Sequence, residues 1–523
     1  MSEAAELRRT HAISTRGSAE LRRNALATLM PGFAGLTAPG WVTAAFDKGL
    51  VSVCVYGENV RDAEQLRALG AELRTSRPDA LIAIDEEGGE VTRLHYLEGS
   101  PYPGAAVLGR IDDVDYTEEI GERVGRDILA SGFNLALGPI ADVNSNPLNP
   151  VIGTRSFAAD PDVAARHVAA FTRGLQRTGA LACAKHFPGH GDTAQDSHLA
   201  LPTVDAPLSV IEARELPPFR AAVNAGIASI MTSHILLPQI DVSGPATFSR
   251  LVLQGMLRDE MEFEGLIITD ALDMKGACGE IGIPAAAVRA LVAGCDLLCL
   301  GTNTGPELLE EIVETVLDAV ADGTLSEARL AEAAGRVRTA AAVPHISTNS
   351  MGGASLPEPV EMSEAPVPAE LTRIINSFAG LDTARTWLSE HPHATVLRVE
   401  SEANLAIGHA PWGPFAAVAD PLPIANQPAL AAAFANRPQR GLGTAPGDGE
   451  TTAGVIAIGR DMHRLREAQV TINALRAAGT DVLCVEMGWP GDGEARVYAD
   501  LACYGSSRLV GAALLHLIEG ELA

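Results

Sequence analysis

The chain has 523 residues, 47% hydrophobic and 20% charged, with 39 Lys and Arg against 66 Asp and Glu for a formal net charge of −27. So large an apolar fraction excludes a mainly disordered chain, and the length predicts two to three domains. The acidity excludes the basic footprint of a nucleic-acid binder and makes anionic membrane surfaces repulsive.

The N-terminal stretch MSEAAELRRTHAISTRGSAELRRNALATLMPG is charged throughout. It lacks the apolar core and small-residue cleavage site of a secretory signal. No stretch reaches the roughly 18 apolar residues needed to span a bilayer. Seven cysteines (Cys54, Cys183, Cys278, Cys295, Cys299, Cys484 and Cys503) lie mostly inside apolar runs, where a thiol behaves as a small hydrophobe. A reduced, cytoplasmic compartment is expected.

In chain order, short apolar runs with polar ends alternate with longer helical patterns. The runs are ATLMPGF (27–33), LVSVCVYG (50–57), ALIAID (80–85), LALGPIADV (135–143), LACAKH (181–186), ASIMTSH (228–234), GLIITD (265–270) and CDLLCLG (295–301). Near-continuous apolar strands alternating with helices predict parallel pairing buried on both faces, and eight of them are the number that closes a (β/α)₈ TIM-type barrel. Asp85, Asp142, Lys185, His186, His234 and Asp270 all fall at the C-terminal end of a predicted strand. Barrel active sites are built at that end from several strands.

The helix LSEARLAEAAGRVRTAAAV closes this region near residue 343. The segment 344–369, rich in Pro, Ser, Gly and Glu, reads as a linker. From 370 the α/β pattern resumes with TVLRVES, GVIAIG, the helix DMHRLREAQVTINALRAAG and DVLCVEMG, ending in DLACYGSSRLVGAALLHLIEGE as a closing helix. The fold class is therefore α/β: a catalytic barrel over 1–343 followed by a smaller αβα sandwich over 370–523. GLGTAPG (441–447) has the wrong spacing for a dinucleotide fingerprint, and no predicted strand precedes it.

The densest polar segment is AKHFPGHGDTAQDSHLALP, 184–202, where Pro188, Gly189 and Gly191 disfavour helix. Two readings compete for it. His186, His190, Asp192, Asp196 and His198 are residue types that ligate zinc or iron, although HExxH spacing and a cysteine cluster are missing. In the other reading Asp196 fixes the tautomer of His198 and prepares it for proton transfer. Asp270, ending GLIITD, adds a carboxylate at the same mouth. A carboxylate facing a proton donor across a bound bond is the arrangement of a retaining glycosidase. IDEEGGEVTRL (84–94) offers Asp85 and Arg93, with Glu86 and Glu87 read as solvated, and NPVIGTRSF (149–157) offers Arg155.

IDEEGGEVTRL, IGTRSF, KHFPGHGDTAQDSH and IITDALDM, in this order, resemble glycoside hydrolase family 3. KHFPGHG followed by Asp-Ser-His resembles its bacterial β-N-acetylglucosaminidase branch, whose members commonly recycle cell-wall muropeptides. The resemblance is detailed over roughly residues 20–345 and loose beyond. It implies Asp270 as nucleophile, His198 as acid/base with Asp196 as its partner, and Asp85, Arg93, Arg155, Lys185 and His186 as holders of the sugar. Glu90 stands where the family often has a basic residue.

The resulting expectation is a retaining exo-β-N-acetylglucosaminidase acting on an N-acetylglucosamine-containing substrate. It implies no metal, no organic cofactor, no nucleic acid and no membrane insertion. The rivals are a phosphorylase on the same scaffold, a metal-dependent hydrolase and a non-catalytic sugar-binding barrel.

Overall fold

A strand forms inside each of the eight apolar runs in the computed structural model, which describes residues 18–195, 201–279, 281–302, 304–343, 368–401, 406–408, 410–417, 424–426 and 454–522. They are β1 (Leu29–Met30), β2 (Ser52–Val55), β3 (Leu81–Ile84), β4 (Leu135–Ala136), β5 (Leu181–Phe187), β6 (Ser229–Thr232), β7 (Leu266–Ile268) and β8 (Leu298–Cys299). Two compact units result. The first comprises Met1–Glu87, Asp113–Ile152 and Ala158–Glu361, the second Gly88–Asp112, Gly153–Phe157 and Met362–Ala523.

In the first unit β2 to β7 form a six-stranded parallel sheet in sequence order. Ile268 of β7 bridges Leu297, β8 pairs in parallel with β1, and Cys54 N–H donates to the Pro31 carbonyl at 3.0 Å. Hydrogen bonds thus run from strand to strand through a curled parallel sheet. Every second residue points inward, as the strand period requires. Leu81 and Ala83, Leu181 and Cys183, and Leu266 and Ile268 share one core with Val337 of the helix Glu327–Ala341. The surrounding helices begin where the sequence supplies an N-cap: Asp62, Asp113, Asp160 and Ser326 each accept a backbone N–H of the first turn.

The second unit holds a five-stranded parallel sheet in the order β10-β9-β11-β12-β13. Its strands are β9 (Thr395–Arg398), β10 (Ile424–Asn426), β11 (Val455–Gly459), β12 (Val482–Glu486) and β13 (Leu501–Ala502). Alternation again assigns the faces. Val396, Ile456, Ile458, Leu483 and Val485 pack in one core with the helices Pro368–Ile375, Leu381–Glu390 and Arg508–Leu522. Leu397, Val399, Ala457 and Cys484 pack in the other with Arg466–Ala477.

One expectation is corrected. The tail DLACYGSSRLVG… does not begin as helix: Leu501 and Ala502 pair with Val485 and Glu486 as an added strand. Tyr504 then takes a positive φ of 57°, and the helix starts only at Arg508. Gly505-Ser506-Ser507 favours turn over helix, and the ladder alongside β12 supplies what local propensity lacks. GLGTAPG (441–447) lies outside the described residues.

None of the seven cysteines is in a disulfide. No helix among the described residues is long and apolar enough to cross a membrane.

Candidate active site

β5 is the longest strand of the first unit, and all seven of its residues are buried. It pairs with β6 at Cys183↔Ser229, Ala184↔Ile230 and Phe187↔Thr232, so one extra residue is inserted between Ala184 and Phe187. The two residues in that irregularity are Lys185 and His186, joined by a cis peptide. A bulge of this kind re-aims side chains. Here it presents two consecutive polar groups in a strand whose simple alternation would show only one.

The Lys185 side chain is 4% exposed, and its Nζ lies 2.9 Å from both Asp85 Oδ1 and Glu87 Oε1. An ammonium so buried needs this company, because an unpaired charge there would be costly. Glu86 and Glu87 are not solvated as their sequence suggested: both are buried. For Glu87 the reason is the Lys185 ammonium two strands away, which the local sequence does not show.

Asp142 is the second hub. Its Oδ2 accepts from His186 Nδ1 at 2.8 Å, while its Oδ1 accepts the backbone N–H of His186 at 3.1 Å and of His190 at 2.7 Å. Burial works to raise this carboxyl, but His186 and His190 outweigh it and hold Asp142 below the usual carboxylate range. With Nδ1 donating to Asp142, His186 keeps a fixed ring orientation.

The loop after β5 is shaped by close approach. A Cβ on Gly191 would stand 1.6 Å from the Val143 carbonyl oxygen, so no side chain fits there. Asn149 Nδ2 donates to the His190 and Gly191 carbonyls at 2.8 and 3.0 Å, fastening the loop to the segment after β4. His190 Nδ1 lies 2.9 Å from the Thr193 hydroxyl.

His190 is buried, and burial first, then the neighbouring His186, pulls it from 6.5 down to about 4. The unfolded chain therefore binds more protons than the native state between those values. Stability falls as pH drops from 6.5 to 4, by up to about 3 kcal/mol from this one group. His190→Gln cannot take up that proton. Urea midpoints of variant and wild type, measured at both ends of the window, should show the variant losing less stability on acidification.

Asp270 lies two residues beyond β7 and is half-buried, and its Oδ1 accepts the Ala271 N–H at 2.8 Å. His234, at the end of β6, supports this turn. Its Nε2 donates to the Ala271 carbonyl at 3.1 Å, and its Nδ1 meets the Thr247 hydroxyl at 2.8 Å.

The first unit thus sets Asp85, Lys185, His186 and Asp270 at the C-terminal ends of β3, β5 and β7. Asp142, one of the strand-end residues expected at this mouth, joins them, and so does Glu87, which its sequence suggested was solvated. Asp142 carried a signal, since it ends an apolar run; Glu87 carried none. Asp196 and His198 lie outside the described residues. Among the described residues, no three His, Cys, Asp or Glu side chains are arranged to hold a metal ion.

Arg93 and Arg155 belong to the second unit, and both are buried. Arg93 Nη2 donates to the Ala406 carbonyl at 2.6 Å, and its guanidinium lies over the Tyr96 ring. Arg155 ends the 3₁₀ turn Gly153–Arg155. The preceding Thr154 donates to Glu90 Oε1 at 3.0 Å, and the same oxygen accepts the Ser506 N–H at 2.8 Å.

Residues 42–340 match the model of the glycosyl hydrolase family 3 N-terminal domain. The chain belongs to glycosyl hydrolase family 3. A β-hexosaminidase of Neisseria meningitidis serogroup C is 37% identical over 277 residues, 51% of this chain and 75% of that protein. A family 3 β-N-acetylglucosaminidase from a Paenibacillus species superposes with a TM-score of 0.77 at 26% identity, covering 96% of this chain and 97% of that one. NagZ from Neisseria gonorrhoeae, solved in complex with N-trifluoroacetyl-D-glucosamine, gives 0.50 at 31% identity, covering 60% of this chain and 98% of that one. The enzyme class expected from the motifs, a glycoside hydrolase, stands.

Proposed function

We propose that this family 3 enzyme is a retaining exo-β-N-acetylglucosaminidase. In this reading the eight strands of the first unit close as one (β/α)₈ barrel, residues 344–369 link it to the sandwich of 370–523, and the enzyme works in the cytoplasm. Its substrates are muropeptides or amino-sugar oligosaccharides ending in β-linked N-acetylglucosamine. The observation that carries the reading is the charge arrangement at one end of β3, β5 and β7. Two carboxylates, each 2.9 Å from the Lys185 ammonium, gather at the strand ends where Asp270 follows β7. Charged donors and acceptors of this kind each hold a pair of sugar hydroxyls.

In the first step Asp270 attacks the anomeric carbon while His198 gives a proton to the leaving oxygen. In the second, His198 takes a proton from water, which displaces Asp270 and regenerates the carboxylate. Asp196 keeps His198 in the tautomer both steps need. Asp85, Arg93, Arg155, Lys185 and His186 hold the sugar undergoing transfer.

The experiment is a comparison of leaving groups. A general acid matters most when the departing oxygen is a poor leaving group. His198→Ala should therefore lose about a hundredfold or more on a disaccharide and far less on an activated aryl N-acetylglucosaminide. Equal losses on both would remove His198 from the acid/base role. Running the wild type with and without millimolar phosphate tests the phosphorylase alternative, because phosphorolysis would accumulate N-acetylglucosamine 1-phosphate in place of free sugar.

A further inference from the structure

Beneath the histidine loop lies a carboxylate to which neither the motifs nor the chemistry above gives a part. Glu215 ends the π-helical turn Ile211–Glu215, and its side chain is 1% exposed. Its Oε1 accepts from Arg214 Nε at 2.6 Å, and Arg214 Nη2 reaches on to Asp192 Oδ2 at 2.7 Å. Its Oε2 is sealed from solvent and has no hydrogen-bond partner among the described residues.

That oxygen lies against the loop backbone. Gly189 has φ of +132°, and a Cβ there would stand 2.6 Å from Glu215 Oε2 and 2.7 Å from the Glu215 Cβ. Gly189 therefore rests directly on the carboxyl, in a conformation that side chains rarely adopt. One residue further on, the His190 N–H is bonded to Asp142. The loop is thus held at Asp142, Asn149 and, from below, the Arg214–Glu215 pair.

We propose that Glu215 is a positioning residue for the reaction: with Arg214 and Asp192 it anchors the loop that follows Lys185 and His186. The proposal rests on the reading that this loop serves catalysis. It explains why a buried carboxylate oxygen without a partner is kept at all. Leaving such a group unsatisfied costs stability, so its presence calls for a use.

The anchor depends on pH. Burial pushes the Glu215 carboxyl up to about 7, against the Arg214 guanidinium, which lowers it; Asp142 and Asp192 add to the rise. Arg214 on the same turn, Asp142 after β4 and Asp192 on the loop are the charged groups that bear on it. Above about pH 7 the ionised carboxylate holds Arg214 in the orientation that reaches Asp192; below it, a neutral carboxyl holds it less firmly.

The test uses the full-length chain carrying Glu215→Gln, with Asp192→Asn as a second variant that breaks the same link at a half-buried position. Hydrogen exchange of the amides of 189–193 should quicken at least tenfold in both, with the amides of β3 and β7 unchanged. On an aryl N-acetylglucosaminide, kcat should drop about tenfold with KM held within threefold. The rise in kcat/KM through pH 7 should flatten in Glu215→Gln. Unchanged exchange at 189–193 overturns the proposal, whatever happens to the melting temperature. Faster exchange with kcat and pH profile intact overturns it as well. A Glu215→Gln chain that does not fold leaves the decision to Asp192→Asn by the same measures. If the wild type cleaves no N-acetylglucosaminide, the functional reading fails by itself, and the exchange comparison, which needs no substrate, still decides the anchor.

Discussion

Asp270→Ala is expected to lower kcat on N-acetylglucosaminides by about a thousandfold or more, because under the proposed mechanism it removes the covalent route and leaves water to attack unaided. The other strand-end carboxylates are poorer candidates on physical grounds. Asp85 and Glu87 are drawn to the Lys185 ammonium at 2.9 Å, and Asp142 accepts from the ring and backbone of His186 and from the backbone of His190. Charge-assisted bonds of this kind withdraw electron density from a carboxylate that must attack carbon. Asp270 is half-buried, two residues beyond β7, where its Oδ1 accepts the Ala271 N–H. Its removal should leave the sheet intact, so circular dichroism and the urea midpoint should match the wild type. A mechanism-based fluorosugar followed by peptide mapping should place the label on Asp270, and azide, a small external nucleophile, should restore part of the lost turnover in Asp270→Ala. A label on Asp85, Glu87 or Asp142 would transfer the nucleophile role.

The strands of the first unit were legible because a parallel strand buried on both faces must be apolar at every position, leaving short runs that end abruptly at polar residues. Asp85 and Asp270 were legible for the same reason, as the first charged residue after such a run. Lys185 and His186 were legible as a pair, but the bulge that presents both was not, since it shows only in the pairing of β5 with β6. Glu87 looked solvated inside IDEEGGE because its partner lies about a hundred residues away in sequence, as with the Asp85–Lys185 pair. Glu215 was hidden for a related reason: in IEARELPPF it sits among charged helix formers, and its burial comes from the loop packed over it. β13 was missed because a two-residue strand has no periodicity of its own, and its pairing with β12 defines it. Local pattern thus revealed what each segment buries, while the pairing of charges across the sheet stayed out of its reach.

The largest loss of stability is expected not at the site but at the other end of β8, where Asp296 precedes the strand and is 0% exposed. Three guanidinium groups converge on it: Arg258 at 2.5 Å, Arg329 at 2.7 Å and Arg336 at 3.3 Å. Its Oδ2 also accepts the Ile267 N–H of β7 at 3.1 Å. Arg258, pulled by burial down to about 10, is still cationic at neutral pH, so Asp296 is the buried anion that, with the more exposed Glu332 beside Arg329 and Arg336, makes three clustered positive charges tolerable. Asp296→Asn keeps the shape and an acceptor for Ile267 but removes that charge. Breaking a buried ion pair from one side typically costs about 3–5 kcal/mol, and partial exposure of Arg336 and Arg329 favours the lower part of that range. The urea midpoint should therefore fall sharply, and more at low salt, where repulsion among the three arginines is least screened. Activity per folded molecule should be unchanged, because in the proposed barrel the chemistry belongs to the C-terminal strand ends and Asp296 sits before its strand. A variant that keeps its midpoint would mean that the arginines find other acceptors. One that folds normally but loses turnover would mean that the base of β8 reaches the site, against the separation of stability and chemistry that this architecture implies.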